Sequence, residues 1–594
     1  IAPIKQLKIK GNVGYQFGQR AYRSFVPDYE LSVNNSNPTN DIENEKSDSQ
    51  RYTIDYTINY VESFGNHNVD FLVGQSYEKW GLGSSLKAKN SNSEFTTVDG
   101  AYIANVPTVT TENTSIGGTP DANGSIASYF GRVNYDFDEK YMFSATVRAD
   151  GSSNFSKDNR WGVFPSVSAG WIITNETFME STSDWLNFFK LRASWGQNGN
   201  CNVEAFQYAS MIKIGGEGRY HYADKDVVST GAYPYKLANP DITWETSEQA
   251  DFGFDARFLN SRLNVSFDLY KKTTKDWLVT APTLAIYGAD PCSINGGDVE
   301  NKGFEFSLGW NDRRGDFSYG ASVNMAKNTN EVVRIANTEG IIHGPENVLA
   351  QNTAELYRAE VGYAMGYFWG YKTAGVFQNQ AEIDDWKAKY GEKAFIKGYE
   401  DTAPGDLKFV DNNLDGEITE DDKTEIGNPH PDFTLGFNIH LAWKGIDLSI
   451  DAYGAYGHQI AKCYREFSNT EHHNYTTDVL TKYWTGEGST NRYPKFTHGK
   501  DANFAQISDI YLEDADYLKI RNITLGYDFK TLFKTLPVQK LRLYVTAQNL
   551  FTFTQYTGFD PEVGYGGGTS WASGIDIGYY PSPRTFMFGI NVAF

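Results

Sequence analysis

The sequence predicts an all-β protein, a transmembrane antiparallel β-barrel with long loops at one end. Three observations lead to this fold. Apolar and polar residues alternate along many segments of about ten residues, aromatic residues bracket several of these segments, and the chain ends on the aromatic residue of one of them. Strands of about ten residues, tilted across a bilayer, are typical of outer-membrane barrels.

Alternation is clearest in residues 51–60. The apolar face carries Tyr52, Ile54, Tyr56, Ile58 and Tyr60, and the polar face carries Arg51, Thr53, Asp55, Thr57 and Asn59. The same period of two recurs in residues 141–150, 263–269, 304–310 and 433–443. Because the strands of a soluble β-sandwich also alternate, the strand length and the aromatic ends decide in favour of the membrane.

Tryptophans bracket one of these strands. Trp161 and Trp171 share a face, with Val163 and Val167 between them. Ten residues at about 3.3 Å each, tilted by roughly 40°, span about 25 Å, which is the height of the apolar band between two aromatic girdles. The pattern along the whole chain predicts about 17 or 18 strands.

The connections fall into two classes. Residues 136–140 form a short polar turn typical of the periplasmic end of a barrel. Four long segments rich in Asn, Thr, Gly and Ser are predicted to be extracellular loops, namely residues 28–50, 81–124, 196–240 and 328–405. Loops of this length are uncommon in a compact soluble domain but usual in an outer-membrane barrel.

The C-terminus carries the most specific local pattern. One face of the last segment carries Phe586, Phe588, Ile590, Val592 and Phe594, and the chain stops on this last aromatic residue. Ends of soluble chains are usually polar and frayed. The pattern therefore predicts a final transmembrane strand.

Composition excludes several classes of protein. The net charge of −21 argues against a nucleic-acid partner, which needs clustered Lys and Arg. No stretch is long and apolar enough for a membrane helix. The three cysteines, Cys201, Cys292 and Cys463, have neither disulfide-framework nor zinc spacing. No secretion signal is visible at the N-terminus, so we expect the true N-terminus of an exported protein to lie elsewhere.

Four stretches together resemble the SusC/RagA family of TonB-dependent outer-membrane transporters. They are residues 141–171, with YMFSATVRADGSSNF and WGVFPSVSAGW; residues 191–199, LRASWGQNG; residues 405–433, from Gly405-Asp406 through Asp411 to Gly427, Pro429 and Phe433; and residues 541–562, with LRLYVTAQNLF and GFDPE. They are spread over most of the chain.

The resemblance implies a barrel of 22 strands that encloses a plug domain. It also implies a signal sequence, a small β-sandwich domain and a TonB box ahead of the plug. None of these is visible, so residues 1–594 are expected to be the C-terminal part of such a receptor, without the signal, the plug and the first strands. The implied location is the outer membrane of a Gram-negative, Bacteroidetes-like cell.

The function implied by the resemblance is TonB-dependent import of a bulky nutrient, an oligosaccharide or an oligopeptide. The implied partners are a SusD-like surface lipoprotein that acts as a lid, TonB through an N-terminal part of the receptor, and the lipid bilayer. Polar strand faces would line the lumen or contact the plug.

Residues 411–422, DNNLDGEITEDD, fit the twelve-residue calcium loop. The candidate ligands are Asp411, Asn413, Asp415, Glu417, Thr419 and Asp422, and Gly416 supplies the sharp turn at position 6. The alternative is an Asx-rich turn closed by its own hydrogen bonds. In either case the loop is predicted to have a structural role, and no organic cofactor is expected.

A Gly-punctuated segment contains the aromatic residues Tyr363, Tyr367, Trp369 and Tyr371. These rings are candidate stacking surfaces for a sugar or peptide substrate. The alternative is that they pack a long loop against the barrel rim.

No sequence motif indicates an enzyme. The residues Glu471, His472 and His473, with His458 nearby, are interpreted as surface residues, and the Gly-rich run 564–568 as a flexible loop. Two rival functions stay open. An outer-membrane adhesin or enzyme scaffold would carry a passenger domain or a compact catalytic site, and a secreted carbohydrate-binding β-protein would be soluble without detergent.

Overall fold

The computed structural model describes residues 3–32, 35–91, 93–120, 123–221, 228–280, 288–346, 354–391, 393–396, 401–464, 477–496, 502–564 and 571–594. Most of its regular structure consists of β-strands, and its helices are short. Within these ranges, no helix has both the length and the apolar character that crossing a bilayer requires.

The first strands, in chain order, are β1 (Leu7–Val26), β2 (Tyr29–Ser32), β3 (Asn35–Asn37), β4 (Asp41–Phe64), β5 (His67–Trp80), β6 (Ser85–Asn90), β7 (Thr114–Gly117), β8 (Gly124–Phe137), β9 (Tyr141–Ser152), β10 (Trp161–Ile172), β11 (Leu186–Asn200), β12 (Met211–His221), β13 (Val228–Lys236), β14 (Glu245–Phe258), β15 (Leu263–Lys275), β16 (Leu278–Thr280) and β17 (Ser293–Asn295). They are followed by β18 (Gly297–Arg314), β19 (Phe317–Ile335), β20 (Ile341–His343), β21 (Tyr357–Glu360), β22 (Tyr367–Gly370), β23 (Thr373–Val376), β24 (Leu407–Phe409), β25 (Thr424–Gly427), β26 (Phe433–Trp443), β27 (Ile446–Tyr456), β28 (Gln459–Lys462), β29 (Leu512–Asp514), β30 (Tyr517–Asp528), β31 (Lys540–Thr554), β32 (Ile575–Asp576) and β33 (Thr585–Ala593). The α-helices are α1 (Gln380–Tyr390), α2 (Thr477–Lys482) and α3 (Ala502–Ala505), and short 3-10 turns lie at Ile103–Asn105, Ile173–Asn175, Thr177–Thr182, Glu420–Asp422 and Asp509–Tyr511.

The chain divides into two compact units. Unit 1 consists of Ile1–Ala169, Trp195–Ser247 and Leu278–Asn295, and unit 2 consists of Gly170–Ser194, Glu248–Trp277 and Gly296–Phe594.

Unit 1 is built on an antiparallel meander in the order β1, β4, β5, β8 and β9. Strand β4 has 24 residues and pairs with β1 along its whole length, from the pair Leu7–Tyr60 to the pair Val26–Asp41. Its second edge pairs with β5 in one half and with the short strand β6 in the other. The predicted tight turn at residues 136–140 is confirmed, since β8 ends at Phe137 and β9 begins at Tyr141.

The strands of unit 1 expose apolar side chains to the outside, which is the opposite of what the strands of a soluble sheet do. In β4 the apolar side chains of Tyr56, Ile58 and Tyr60 are exposed. The polar side chains between them are joined across strands, because Ser76 donates to Asp55 at 2.6 Å and Asn59 donates to Asp70. An apolar face turned outward and a hydrogen-bonded polar face turned inward are what a lipid environment requires.

Unit 2 contains a second antiparallel meander, in the order β15, β18, β19, β26, β27, β30, β31 and β33. At one end the strands are joined by shorter turns, such as Lys444-Gly445 between β26 and β27. The connections at the other end are long and cover residues 276–296, 336–432, 457–516 and 555–584. Because long loops of such barrels are extracellular, this topology assigns these connections to the outer face.

The predicted last strand is confirmed. β33 pairs with β31 from Gln548–Thr585 to Lys540–Ala593. Its apolar face is highly exposed, with Phe588 at 81% and Phe594 at 88%. These rings would face lipid, since leaving them in water would be unfavourable by roughly 2 kcal/mol each.

The long predicted loops needed correction. Residues 41–50 of the first belong to β4, and the second contains β6 and β7. The third contains the hairpin β12–β13, and the fourth contains four short strands and α1. Sequence alternation marks strands with one apolar face, and these elements have mostly polar sequences on both faces or are too short to show a period.

Buried apolar residues of unit 2 are concentrated in its long connections rather than in its meander. One cluster contains Leu356, Tyr357, Phe368, Ala461, Cys463, Ile507, Leu512, Ala572 and Ile575. A second contains Tyr371, Val376, Ile396, Leu407, Phe409 and Ile418. Hence the three longest connections of unit 2 share a core of their own.

Candidate functional site

A cavity of about 940 Å³ opens among the long connections of unit 2. Its walls come from residues 373, 375, 481, 482, 489–493, 509, 510, 512–514, 555 and 557, together with Ile426 and Gln459. Most of the lining side chains are hydroxyls, amides or charged groups. A cavity of this size suits a ligand of several hundred daltons. It is therefore the candidate binding site among the residues described.

The first wall joins the aromatic segment to the segment 507–511. Tyr371 accepts a backbone hydrogen bond from Asp509 and donates one to Ile507 at 2.9 Å. The Asp509 carboxylate accepts from the backbone N–H and the hydroxyl of Thr373, at 3.1 and 2.7 Å. Both oxygens of Asp509 are thus used to fix Thr373 at the cavity surface.

The second wall joins β29 to the last long connection. Glu513 accepts from the hydroxyl of Thr557 at 2.8 Å and from its N–H at 2.9 Å, and it pairs with Lys462 at 3.5 Å. Asp514 accepts from the amide of Gln459 at 3.2 Å. These bonds hold two segments that are more than forty residues apart.

The third wall is the segment 489–493. Asn491 accepts from the N–H of Val376 at 3.0 Å, and Gln378 accepts from the N–H of Gly488 at 2.8 Å. Arg492 donates from Nη2 to the carbonyl oxygen of Leu512 at 2.9 Å. This segment therefore bridges the other two walls through its side chains.

The predicted aromatic residues lie beside the cavity wall and not on its surface. Tyr367 and Tyr371 are buried at 0% and 2% exposure. Tyr363 stacks on Tyr367 with ring centroids 4.7 Å apart, and Arg358 lies 3.6 Å above the ring of Trp369. Such contacts are those of the packing alternative, and they leave Tyr367 and Tyr371 no free ring face for a substrate.

The hydroxyls of the two buried tyrosines stay protonated in this setting. Burial, followed by the hydrogen bond to Glu360, raises the pKa of Tyr367 well above its usual range. Burial and the nearby carboxylates of Glu420 and Asp422 raise the pKa of Tyr371 in the same direction. Both therefore act as neutral donors and packing groups.

The Asp-rich segment 411–422 forms a tight turn next to this core. Asp411 is buried and accepts from the N–H groups of Leu414 and Gly416, at 2.7 and 2.8 Å. Asp422 is also buried and accepts from the N–H groups of Asn412 and Thr419, at 2.8 and 2.7 Å.

The remaining candidate ligands of this turn have partners of their own. Asn413 donates to Asp415 at 3.0 Å, and Glu417 pairs with Lys393. Thr419 caps the 3-10 turn that ends in Asp422. In the described part of the chain, no three His, Cys, Asp or Glu side chains are grouped as a metal centre. The turn has the hydrogen bonds of the Asx alternative, and calcium stays a prediction.

Residues 471–473 and 565–568 lie outside the described residues. The interpretation of His458 as a surface residue is wrong, because the structure buries it. Burial lowers its pKa, so it is neutral at pH 7.

Two buried clusters of polar side chains were not predicted from the sequence. Asp576 accepts from the hydroxyls of Tyr464 and Tyr556, at 2.6 and 2.8 Å, and burial, together with this carboxylate, raises the pKa of Tyr464 to about 12. Lys519 of β30 is 2% exposed and lies 3.1 Å from Asp560. Asp560 belongs to the segment GFDPE, which resembles the SusC/RagA family, but its partner Lys519 is 41 residues away. Sequence spacing carries no signal for such a contact.

Comparisons with known proteins agree with this architecture. A family model described as "TonB dependent receptor-like, beta-barrel" matches residues 5–550. TonB-dependent receptor P3 of Formosa agariphila is 32% identical over 555 residues, covering 90% of this chain and 52% of the relative. TonB-dependent receptor SusC of Bacteroides thetaiotaomicron is 27% identical over 612 residues, covering 100% of this chain and 54% of SusC.

A solved structure of the RagAB peptide transporter has the same fold. It superposes with a TM-score of 0.80 at 24% identity, covering 100% of this chain and 61% of that chain. The chain spans a little more than half the length of these two curated relatives.

Proposed function

Since the chain belongs to the TonB-dependent receptor-like β-barrel family, we propose that it forms the substrate-admitting barrel of an importer for bulky nutrients, either oligosaccharides or oligopeptides. The chain lies in the outer membrane, as its family does. The observation that carries the proposal is the polar cavity of about 940 Å³ among connections at the outer ends of the strands.

The proposed route begins at this cavity. A substrate reaching the cell surface would contact hydroxyl, amide and charged side chains on three walls before it enters the barrel. The polar faces of the unit 2 strands, where Asn522 of β30 donates to Asp451 of β27 at 3.2 Å, would continue a hydrophilic surface along the strands. A polar path lined by many weak contacts suits transport, because a ligand must leave as well as bind.

The proposed partners are a SusD-like surface lipoprotein, which closes over the outer end, and TonB, which supplies energy through an N-terminal part of the receptor. Similarity to SusC along the whole chain supports both partners. The family is one of receptors, and this supports a transport function over the rival proposal of an enzyme scaffold.

We also propose that the turn 411–422 holds a structural calcium ion. Its support is the spacing of Asp411, Asn413, Asp415, Glu417, Thr419 and Asp422 in a turn closed around two buried carboxylates. The turn is followed directly by β25, which supplies Ile426 to the cavity. Ordering the turn would therefore order one cavity wall.

The full-length receptor, expressed from its own locus, tests the import function. We expect it in detergent extracts of the outer membrane, copurifying with a lipoprotein, and we expect its deletion to abolish growth on one class of oligomer. Recovery of the protein in the soluble fraction, or unchanged growth of the deletion strain on every oligosaccharide and oligopeptide, would contradict the proposal.

A further inference from the structure

Five charged side chains line the cavity, and they differ in how they are used. Two are cations, Lys482 and Arg492, and three are the carboxylates Asp509, Glu513 and Asp514. Counting charges alone would favour a cationic ligand. The hydrogen bonds of each group lead to the opposite conclusion.

All three carboxylates already accept hydrogen bonds from the protein. Asp509 uses both oxygens for Thr373, and Glu513 binds Thr557 and the ammonium group of Lys462. Asp514 accepts from Gln459. Their negative charge is thereby partly offset by fixed donors, and Lys462 balances the charge of Glu513.

The two cations have no carboxylate partner within the described residues. Lys482 lies in the last turn of α2 with an exposed side chain. Arg492 uses Nη2 for the carbonyl oxygen of Leu512 and lies 5.7 Å from the ring centroid of Tyr493. Its other guanidinium N–H groups are not used by any acceptor described here. A guanidinium in this state is suited to a two-pronged contact with a carboxylate.

We propose that the cavity binds its ligand through a carboxylate group, held by Arg492 and attracted by Lys482. This inference rests on the proposed import function and names the substrate class of the same site. The carboxylate belongs either to an acidic sugar or to an acidic peptide side chain, since both present the same group to Arg492.

A neutral ligand fits the cavity less well for two reasons. Sugar rings are commonly bound by stacking on aromatic faces, and Tyr493 is the one aromatic side chain among the described residues lining the cavity. A neutral ligand would also remove water from the two cations without compensating their charge. In a chain with a net charge of −21, two cations without a carboxylate partner among the described residues further favour an anionic ligand.

Four probes test the proposal by isothermal titration calorimetry on the full-length receptor with its lipoprotein. They are tetragalacturonate and its neutral counterpart galactotetraose, and end-capped tetraglutamate and end-capped tetraglutamine. We expect one acidic probe to bind at least about tenfold more tightly than its neutral counterpart, as a charge-assisted hydrogen bond provides. The acidic probe that binds identifies the source of the carboxylate, and added salt should weaken it.

Two variants and a control assign the effect to the cavity. Arg492→Gln and Lys482→Gln should each remove most of the difference between acidic and neutral probes. Lys389→Gln removes the same charge from an exposed position on α1, outside the cavity, and should leave it unchanged. Lys482 makes no contact that its replacement would break in the described structure, so this variant should fold normally.

Equal binding of acidic and neutral probes, or no binding of either acidic probe, would overturn the carboxylate inference. An acidic preference that survives in both cavity variants would overturn it as well. In each of these cases, uptake and growth in the deletion assay would still decide the import function separately.

Discussion

The meander strands and the long connections of unit 2 follow opposite rules for burying apolar side chains. Strand β26 exposes Phe437, Ile439 and Trp443, whereas the connection that precedes it buries Tyr357 and Phe368 completely. The apolar surface of the strands suits contact with lipid, whereas the connections bury their apolar side chains as a protein in water does. One chain thus contains an apolar surface that the bilayer covers and an apolar core that the protein itself covers.

The polar residues show the same difference. On the strands, polar side chains meet across neighbouring strands, as Arg192 does with Asp255 at 3.0 Å and Asp268 at 2.6 Å. In the connections, polar side chains join segments that are distant in sequence, as Thr373 and Asp509 do. Local patterns therefore describe the strands well and the connections poorly.

The largest expected effect comes from breaking the core of the connections. Phe368→Ala should reduce the free energy of unfolding of the connections by about 3–5 kcal/mol, because it removes a fully buried ring and leaves a cavity. Hydrogen exchange of residues 356–370 in detergent-solubilised receptor measures this. Phe437→Ala, on the lipid face of β26, is the matched control and should leave that exchange unchanged. Equal effects of both variants would show that the connections have no separate core.

The second expected effect concerns the strands. Ile439→Arg places a charge on the outward face near the middle of β26, which should destabilise the strands by about 2–4 kcal/mol in a bilayer. The neighbouring variant His440→Arg places the same charge on the opposite, inward face and should be tolerated. Heat-modifiable migration of the assembled barrel after reconstitution measures both. Tolerance of Ile439→Arg and failure of His440→Arg would reverse the assigned faces.

The predicted resemblance to the SusC/RagA family is confirmed by the family match and by the similarity to SusC. The all-β barrel fold could be predicted from the sequence because alternation is a property of each strand alone. The final strand β33 shows this clearly, since residues 586, 588, 590, 592 and 594 suffice to define its outward face. The 22 strands and the separate plug stay predictions.

The cavity could not be predicted from the sequence in the same way. Its walls depend on contacts between residues more than a hundred positions apart, such as Val376 with Asn491. Helix α1 did carry a local signal that the sequence reasoning missed, because Asn379 caps it and Gly391 ends it. The aromatic segment was recognised, but whether its rings stack on substrate or on one another depends on Arg358 and Phe409, which no spacing reveals.

The third prediction addresses the turn 411–422. If calcium is bound, saturating calcium at about a hundredfold excess over its dissociation constant should stabilise the connections by about 2.7 kcal/mol. Asp411→Asn should abolish this gain, while Asp421→Asn, outside the six candidate positions, should keep it. Thermal unfolding with calcium and with a chelator measures the difference. No calcium-dependent shift in the unaltered receptor would leave the Asx turn as the whole explanation.

The smallest expected effect is a pH dependence at the surface of the connections. The ring nitrogens of His343 face Glu355 at 3.0 Å and Glu339 at 3.2 Å, and ionised carboxylates only accept, so both nitrogens must carry protons. Burial lowers the pKa of His343, but these two carboxylates outweigh burial and raise it above 6.5.

Because the folded state holds this proton more tightly, the contribution of His343 to stability is fully present below pH 6.5. It is lost as the pH rises through the raised pKa of the folded state. For a side chain that is 42% exposed, solvent limits the contribution to about 0.2–1 kcal/mol. Unfolding of the connections at pH 6 and pH 9 measures it, with His343→Gln as the control that should remove the difference between the two pH values. A pH difference that persists in His343→Gln would show that another group titrates. The buried His458 would change the stability with pH in the opposite direction. Its lowered pKa would make the connections lose stability as the pH falls below 6.5.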